Sequence, residues 1–329
     1  MYAFVTGSTG FVGGQLVSSL IEEGDNVRAV ARRTSDTSRL KQLGVEIVEG
    51  DVTDPSSFAG RMKGCDVVYH VANIYELWLP KKTLFYDVNV KGTRNVLKAA
   101  SDAGVTRVIY TSTSAAIGER RGETATEETQ HTGFFPSDYN RSKHYGEMEA
   151  MKMCKEQGLP LVVVNPADVL GPGDLKSSGQ IIIEFLNRKL SGRVCEESYM
   201  SFVDVRDVAK GHILAAKIGR VGERYILSAE TMKWKDVCDM LSEISGVSAP
   251  KRKISDSTFM LMASMMELVS FFTRKPPRAS LGAARAMIRG LKLDASKSKR
   301  ELGIEYRPIK DTLHDAIVWY REHGYTPPA

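Results

Sequence analysis

Residues 2–13 place the tightest constraint on how this chain can fold. The β-prone run Tyr2-Ala3-Phe4-Val5-Thr6 leads straight into Gly7-Ser8-Thr9-Gly10-Phe11-Val12-Gly13, and a helix-compatible stretch follows. Glycines between a strand and a helix allow a tight turn and let a ligand come close to the main chain. The helix start adds unpaired N–H groups and the positive end of its dipole, which together favour an anion. A strand, such a turn and a helix make the pyrophosphate site of a dinucleotide and predict parallel strands around it. The spacing G-x-x-G-x-x-G is wider than the common G-x-G-x-x-G.

The next 150 residues keep the same rhythm. Strands are expected over 2–6, 27–31, 45–48, 66–70, 107–111 and 161–165, with helices over 12–23, 82–103 and 137–157. Strands alternating with helices of this length form right-handed βαβ units, and their sheet is covered on both faces. After Pro166 the rhythm breaks at the turn sequence Gly171-Pro172-Gly173-Asp174, and shorter elements mix. The expected fold is α/β, a doubly wound parallel Rossmann-type sheet with a smaller, mixed C-terminal substrate domain. Residues 1–170 are assigned to the dinucleotide-binding domain, with 202–228 returning to it. Residues 171–201 and 229–329 form the substrate-binding domain.

Composition narrows the class further. With 42% hydrophobic and 26% charged residues the chain is an ordinary globular protein, not a disordered or collagen-like one. Cys65, Cys154, Cys195 and Cys238 lie far apart, without C-x-x-C or a histidine at ligand spacing. They read as reduced core thiols, so neither a disulfide framework nor a metal site is expected, and the location is cytoplasmic. No basic region and long apolar run open the chain, so no secretory signal is expected. The net charge of +5 is uneven: from Lys251 onward 15 Lys/Arg face 8 Asp/Glu. That surplus suits a solvated surface, an anionic substrate or peripheral contact with a membrane. No nucleic-acid motif accompanies it.

The second strand ends in Val30-Ala31-Arg32-Arg33, where an acidic residue would bind the ribose 2′-hydroxyl of NAD. Arginine there favours a 2′-phosphate, which a guanidinium grips in a forked, charge-assisted way. The expected cofactor is therefore NADP(H) in preference to NAD(H). Asp51, in Gly50-Asp51-Val52 after the third strand, suits the adenine amino group. Val71-Ala72 after the fourth strand suits the nicotinamide-ribose side.

Tyr139 and Lys143 stand at i and i+4 on one helix face. A phenol with a pKa near 10 is a poor acid/base at neutral pH, and a nearby ammonium lowers it. The cluster Thr111-Ser112-Thr113 at the end of the fifth strand offers a hydroxyl to polarise a carbonyl.

Taken together, these segments identify a family resemblance. The set comprises Thr6 to Gly13, Asp51-Val52, His70-Val71-Ala72, Asn89-Val90-Lys91-Gly92-Thr93, Thr111-Ser112-Thr113 and Tyr139 with Lys143. Asn165-Pro166, the turn at Gly171 and Phe202-Val203-Asp204-Val205-Arg206-Asp207 complete it. The chain resembles the extended short-chain dehydrogenase/reductases of the NAD-dependent epimerase/dehydratase family over essentially its whole length. The likeness is greatest to a dihydroflavonol-reductase-like branch that includes proteins labelled hopanoid-associated sugar epimerases. The resemblance implies Tyr139, Lys143 and Thr113 as the catalytic set, with Ser112 as the fallback for Thr113. It implies Arg32 and Arg39 as ligands of the 2′-phosphate. Cofactor contacts are further implied for Gly7, Thr9, Gly10, Phe11, Val12, Gly13, Thr111, Ser112, Pro166 and Val169, and a homodimer for the assembly.

Two departures sort reductases from nucleotide-sugar epimerases or dehydratases. Arg32 replaces the usual acid, and Met200 stands where nucleotide-sugar enzymes bring an arginine to the diphosphate. Both point to net reduction of a ketone or aldehyde, or the reverse oxidation; the apolar segment over 259–272 suits a small apolar substrate. The epimerase/dehydratase, a hydroxysteroid-type dehydrogenase and a non-catalytic NADP-sensing protein stay as alternatives. Tyr75, Trp78, Asp168 and Met200 are the candidate substrate contacts. The apolar segment over 259–272 is too short to span a bilayer and reads as a packed helix, a lid over an apolar substrate or a membrane-contacting face.

Overall fold

The structure is a computed structural model that describes residues 1–118 and 121–327. In chain order its strands are β1 (Tyr2–Thr6), β2 (Asn26–Ala31), β3 (Glu46–Glu49), β4 (Val67–His70), β5 (Arg107–Thr111), β6 (Thr124–Ala125), β7 (Leu161–Pro166), β8 (Asp168–Leu170), β9 (Tyr199–Asp204), β10 (Arg224–Leu227), β11 (Glu230–Lys233) and β12 (Lys292–Leu293). The first seven helices are α1 (Phe11–Glu22), α2 (Ser38–Gln42), α3 (Thr83–Tyr86), α4 (Thr93–Ala103), α5 (Ser114–Ile117), α6 (Asp138–Gln157) and α7 (Ser177–Leu186). They are followed by α8 (Val205–Ile218), α9 (Trp234–Ser245), α10 (Asp256–Thr273), α11 (Leu281–Arg289), α12 (Ser296–Leu302) and α13 (Ile309–Glu322).

Seven strands form one sheet in the order β10-β7-β5-β4-β1-β2-β3, and every neighbouring pair is parallel. The six strands expected from sequence all form, each end within one residue. Successive residues point to opposite faces, so one strand feeds two cores. Val5, Tyr69, Val162 and Val164 pack with Leu16, Val17, Leu20, Val208 and Ile213 on one side. Phe4, Val68, Leu161 and Val163 pack with Phe58, Val96, Leu97 and Met153 on the other. This burial on both faces explains why the strands read as continuous apolar runs.

The strand order reverses direction between β1 and β4. In an open parallel sheet the crevice outside the strand ends at this switch point is where ligands bind. A second sheet, β11-β9-β8, and a two-stranded pair, β12-β6, lie beyond the large one. A third core, built from Leu170, Ile182, Phe202, Trp234, Leu313 and Tyr320, packs beneath the small sheet. Arg224–Leu227 joins the large sheet as its edge strand, whereas Tyr199–Asp204 lies in the small one.

One expected element differs. The helix expected over 82–103 is broken into α3, a π-helical turn over Asp87–Gly92, and α4. The Thr93 hydroxyl donates to the Asn89 carbonyl at 2.8 Å, and a Cβ on Gly92 would sit 2.8 Å from a Val52 methyl. The widened turn turns the Asn89 side chain inward, and such turns recur at functional sites. Among the described residues no helix is long and apolar enough to cross a membrane.

Candidate active site at the sheet switch point

The glycine loop folds onto itself and onto the end of β4. Gly7 has φ +71°, and a Cβ there would lie 2.6 Å from the Ala72 nitrogen. A Cβ on Gly13 would meet the Gly7 carbonyl oxygen at 2.1 Å. Both positions therefore exclude any side chain, and the loop lies flush beneath the start of α1. Ser8 is buried, and its hydroxyl donates to the Val30 carbonyl at 2.8 Å, tying the loop to β2. Thr9 and Gly10 stay exposed, and Phe11 and Val12 are half-buried. No side chain caps α1 and no acid sits in its first turn, so its N–H groups remain available to an anion.

Arg32 is exposed at the end of β2. Arg39 reaches back to α1, where its guanidinium donates to the Ser18 hydroxyl at 2.8 Å and lies 3.4 Å from where a Gly14 Cβ would be. Asp51 is half-buried, and one carboxylate oxygen accepts from the Thr53 N–H and hydroxyl at 2.8 and 2.7 Å. Val52 and Val71 are buried. The Ser112 hydroxyl and the Asn73 side-chain oxygen are buried without a protein partner. An uncovered helix start, a cradle that no Cβ could enter and two orphaned polar atoms fit a dinucleotide laid across the strand ends.

Helix α6 supplies the chemical end. Ser137 caps it, accepting from the Asn140 N–H at 3.2 Å, so the first turn carries Tyr139 and the second Lys143. The Tyr139 ring is buried, and the Tyr75 ring meets it edge-on with centroids 5.2 Å apart. Burial pushes the phenol pKa upward; a hydrogen bond from the Thr113 side chain pulls it down, and Asp168 adds a smaller upward push. The ammonium of Lys143 was expected to bring the phenol down, but the net direction is up. Lys143 instead donates to the Thr111 carbonyl at 2.7 Å and lies 4.8 Å from the Tyr110 ring centre. Burial lowers its own pKa to about 7, against an upward pull from Glu147.

The three hydroxyls after β5 have separate partners. The Thr111 hydroxyl bonds to the His212 ring at 2.7 Å, so Thr111 faces α8 and offers the site only its carbonyl. Ser112 is buried, and Thr113 caps α5 by accepting from the Ala115 N–H at 3.3 Å. Pro166, at the end of β7, is buried, and Val169 of β8 is half-buried against the core.

A cavity of about 490 Å³ opens beside Tyr139 and Thr113. Tyr75, Trp78, Asp168 and Met200 all line it, so three segments far apart in sequence meet around one space. Its remaining walls are largely apolar, including Leu170, Ile182, Phe202, Phe259, Met262 and Met266. Two of its cations, Arg193 and Arg278, are paired with Glu196 and Glu184 at 3.1 and 3.2 Å. Burial raises the Asp168 carboxyl to about 6, with Asp174 adding to the effect.

Asn89 stands in the sequence only as one member of the motif Asn89-Val90-Lys91-Gly92-Thr93. In the structure its side chain accepts from the Ile74 N–H at 2.8 Å and donates to the Ser142 hydroxyl at 2.9 Å. No spacing rule foretells this, because Ile74 and Ser142 lie 15 and 53 residues away along the chain.

Fold and site define a dinucleotide-dependent oxidoreductase of the short-chain dehydrogenase/reductase type. The profile of the NAD dependent epimerase/dehydratase family matches residues 3–228, and the chain belongs to that family. A Synechocystis sp. protein provisionally named dihydroflavonol 4-reductase is 38% identical over 98% of this chain and 95% of its own length. Sterol demethylase protein B of Methylococcus capsulatus is 33% identical over 98% of this chain and 99% of its own. The crystal structure of gox2253 superposes with a TM-score of 0.85 at 36% identity, covering 99% of both chains.

Proposed function

We propose that this protein is an NADP(H)-dependent reductase of a ketone or aldehyde on a small, largely apolar substrate, or catalyses the reverse oxidation. The observation that carries the reading is that the Tyr139 phenol and Thr113 together line one mostly apolar cavity. A substrate carbonyl held in that cavity would accept hydrogen bonds from both hydroxyls. Tyr139 gives its proton to the carbonyl oxygen as negative charge develops there, and Thr113 stabilises that oxygen without changing its own protonation. Lys143 stands on the same helix face as Tyr139, with a pKa near neutral that suits passing a proton back to the phenolate. The glycine cradle would hold NADPH, whose chemistry would be hydride donation to the carbonyl carbon.

The α1 start, Gly7, Gly10 and Gly13 would hold the pyrophosphate, and Arg32 with Arg39 the 2′-phosphate. Arg32, exposed at the end of β2 where an acid would receive a ribose 2′-hydroxyl, supports the NADP(H) preference. Met200 in the cavity wall supports a substrate without a diphosphate, because a thioether offers an anion nothing.

The test is NADPH oxidation against a panel of apolar ketones and aldehydes, with Tyr139→Phe as control. The expected result is turnover by the wild type that falls at least about a thousandfold in the variant while NADPH still binds. Near-normal turnover in the variant, or a purified protein that retains NAD(H) and epimerises a sugar centre with no net redox change, would overturn the reading.

A further inference from the structure

Helix α10 has two apolar faces, and only one of them is used by the fold. Phe259 and Ala263 are buried in a small core with Ile254 and Ala284, and Met262 and Met266 wall the cavity beside Tyr139. Leu261, Met265, Leu268, Val269 and Phe272 recur at i, i+4, i+7, i+8 and i+11, and all are exposed. Phe271 stands beside Phe272, their rings edge-to-face with centroids 5.4 Å apart, and the two are 69% and 75% exposed. The stripe runs about 17 Å along the helix at 1.5 Å per residue. Singly exposed apolar side chains need no explanation, but a contiguous row of six marks a contact surface.

The polar groups of α10 leave that stripe clear. The Ser264 and Ser270 hydroxyls donate back to the Met260 and Met266 carbonyls at 2.8 and 2.9 Å. Glu267 is turned away, accepting from the Leu281 N–H at 2.8 Å at the start of α11. Asp256 lies in the first turn, at the far end from the phenylalanines. At the near end Arg274, in a left-handed conformation at φ +59°, and Lys275 are exposed directly beyond Phe272.

We propose that this face seats the protein on an anionic lipid bilayer. The phenylalanines and leucines enter the headgroup boundary, and Arg274 and Lys275 pair with lipid phosphates. Charge favours this occupant: Arg274 and Lys275 stand exposed at the end of the strip that carries its bulkiest side chains, where they would reach the phosphates of a negative membrane. The chain that follows, Pro276-Pro277-Arg278-Ala279, lines the cavity beside Tyr139, so the membrane-facing tip runs into the substrate wall. An apolar substrate dissolved in the bilayer would thereby meet the cavity without crossing water. That last step rests on the proposed reductase activity, whereas membrane seating does not.

The test is co-sedimentation of the full chain with phosphatidylcholine vesicles, with and without phosphatidylglycerol, alongside its molar mass in solution. The wild type is expected to pellet with the anionic vesicles, to pellet less with neutral ones and to be released by salt. Phe271→Ser/Phe272→Ser and, separately, Arg274→Glu/Lys275→Glu should each weaken anionic binding at least about tenfold. Both variants should keep the thermal midpoint and NADPH affinity of the wild type. Leu268→Gln offers a single-site check if the double variant unfolds. Absence of wild-type binding, or equal binding by all variants, would overturn the proposal. So would a fall in molar mass in Phe271→Ser/Phe272→Ser without any vesicle binding, which would assign the face to a second copy of the chain. If vesicles bind but no ketone is reduced, the membrane proposal stands and the reductase reading falls.

Discussion

The side-chain amide of Asn89 donates to the Ser142 hydroxyl at 2.9 Å, coupling the π-helical turn to the helix that carries Tyr139 and Lys143. Its carbonyl oxygen accepts from Ile74 N–H at 2.8 Å, so the same side chain holds the loop that leads to Tyr75. Asn89→Ala strands these buried partners and should destabilise the fold by about 2–3 kcal/mol. Turnover should drop more than NADPH affinity does, because the tyrosine pair moves while the glycine cradle is untouched. Urea unfolding and steady-state kinetics on one preparation check both parts; unchanged kcat would remove Asn89 from the positioning of Tyr139.

Arg32→Asp tests the cofactor preference. An aspartate repels a 2′-phosphate and accepts from a 2′-hydroxyl, so kcat/KM with NADPH relative to NADH should fall about a hundredfold, near 2.7 kcal/mol. Arg33→Asp, one residue on, should shift the ratio far less. Equal shifts from the two variants would mean a diffuse charge effect and no specific contact.

Lys143 gives a signed pH prediction. Its folded pKa is about 7, far below its ordinary 10.5, because burial penalises the ammonium. Between these values the folded state has shed a proton that the unfolded chain keeps, so stability from this group rises with pH across that window. Lys143→Met should flatten that rise and stabilise the protein at pH 7 by about 1–3 kcal/mol while abolishing turnover. Urea midpoints at about pH 7 and about pH 9 measure it; a variant less stable than wild type at pH 7 would refute the account.

Asp168 acts in the opposite sense. Burial, reinforced by Asp174, lifts its pKa from 3.8 to about 6, so the folded state binds a proton more tightly than the unfolded chain. Stability from this group is then present at low pH and is lost as pH rises from about 4 to about 6. Asp168→Asn should therefore stabilise the protein at pH 7 by about 1–2 kcal/mol. Thermal midpoints across that range decide it, and a difference that does not change with pH would exclude the charge as its cause.

The sequence alone determined the parallel sheet, the glycine cradle and the helix bearing Tyr139 and Lys143. Each of these rests on local rules: strand runs buried on both faces, glycines where no Cβ fits, and side chains spaced one turn apart. Tertiary structure decided the rest. It broke the helix expected over 82–103 and aimed Asn89 inward, and it turned the Thr111 hydroxyl to His212. It placed Lys143 under the Thr111 carbonyl and gathered Tyr75, Trp78, Asp168 and Met200 around one cavity. It left one face of α10 bare, which the apolar segment over 259–272 does not reveal along the chain. The physical reason is distance along the chain. A turn or a helical pair is set by neighbours within a few residues, whereas a cavity wall and an uncovered face depend on which distant segments pack there.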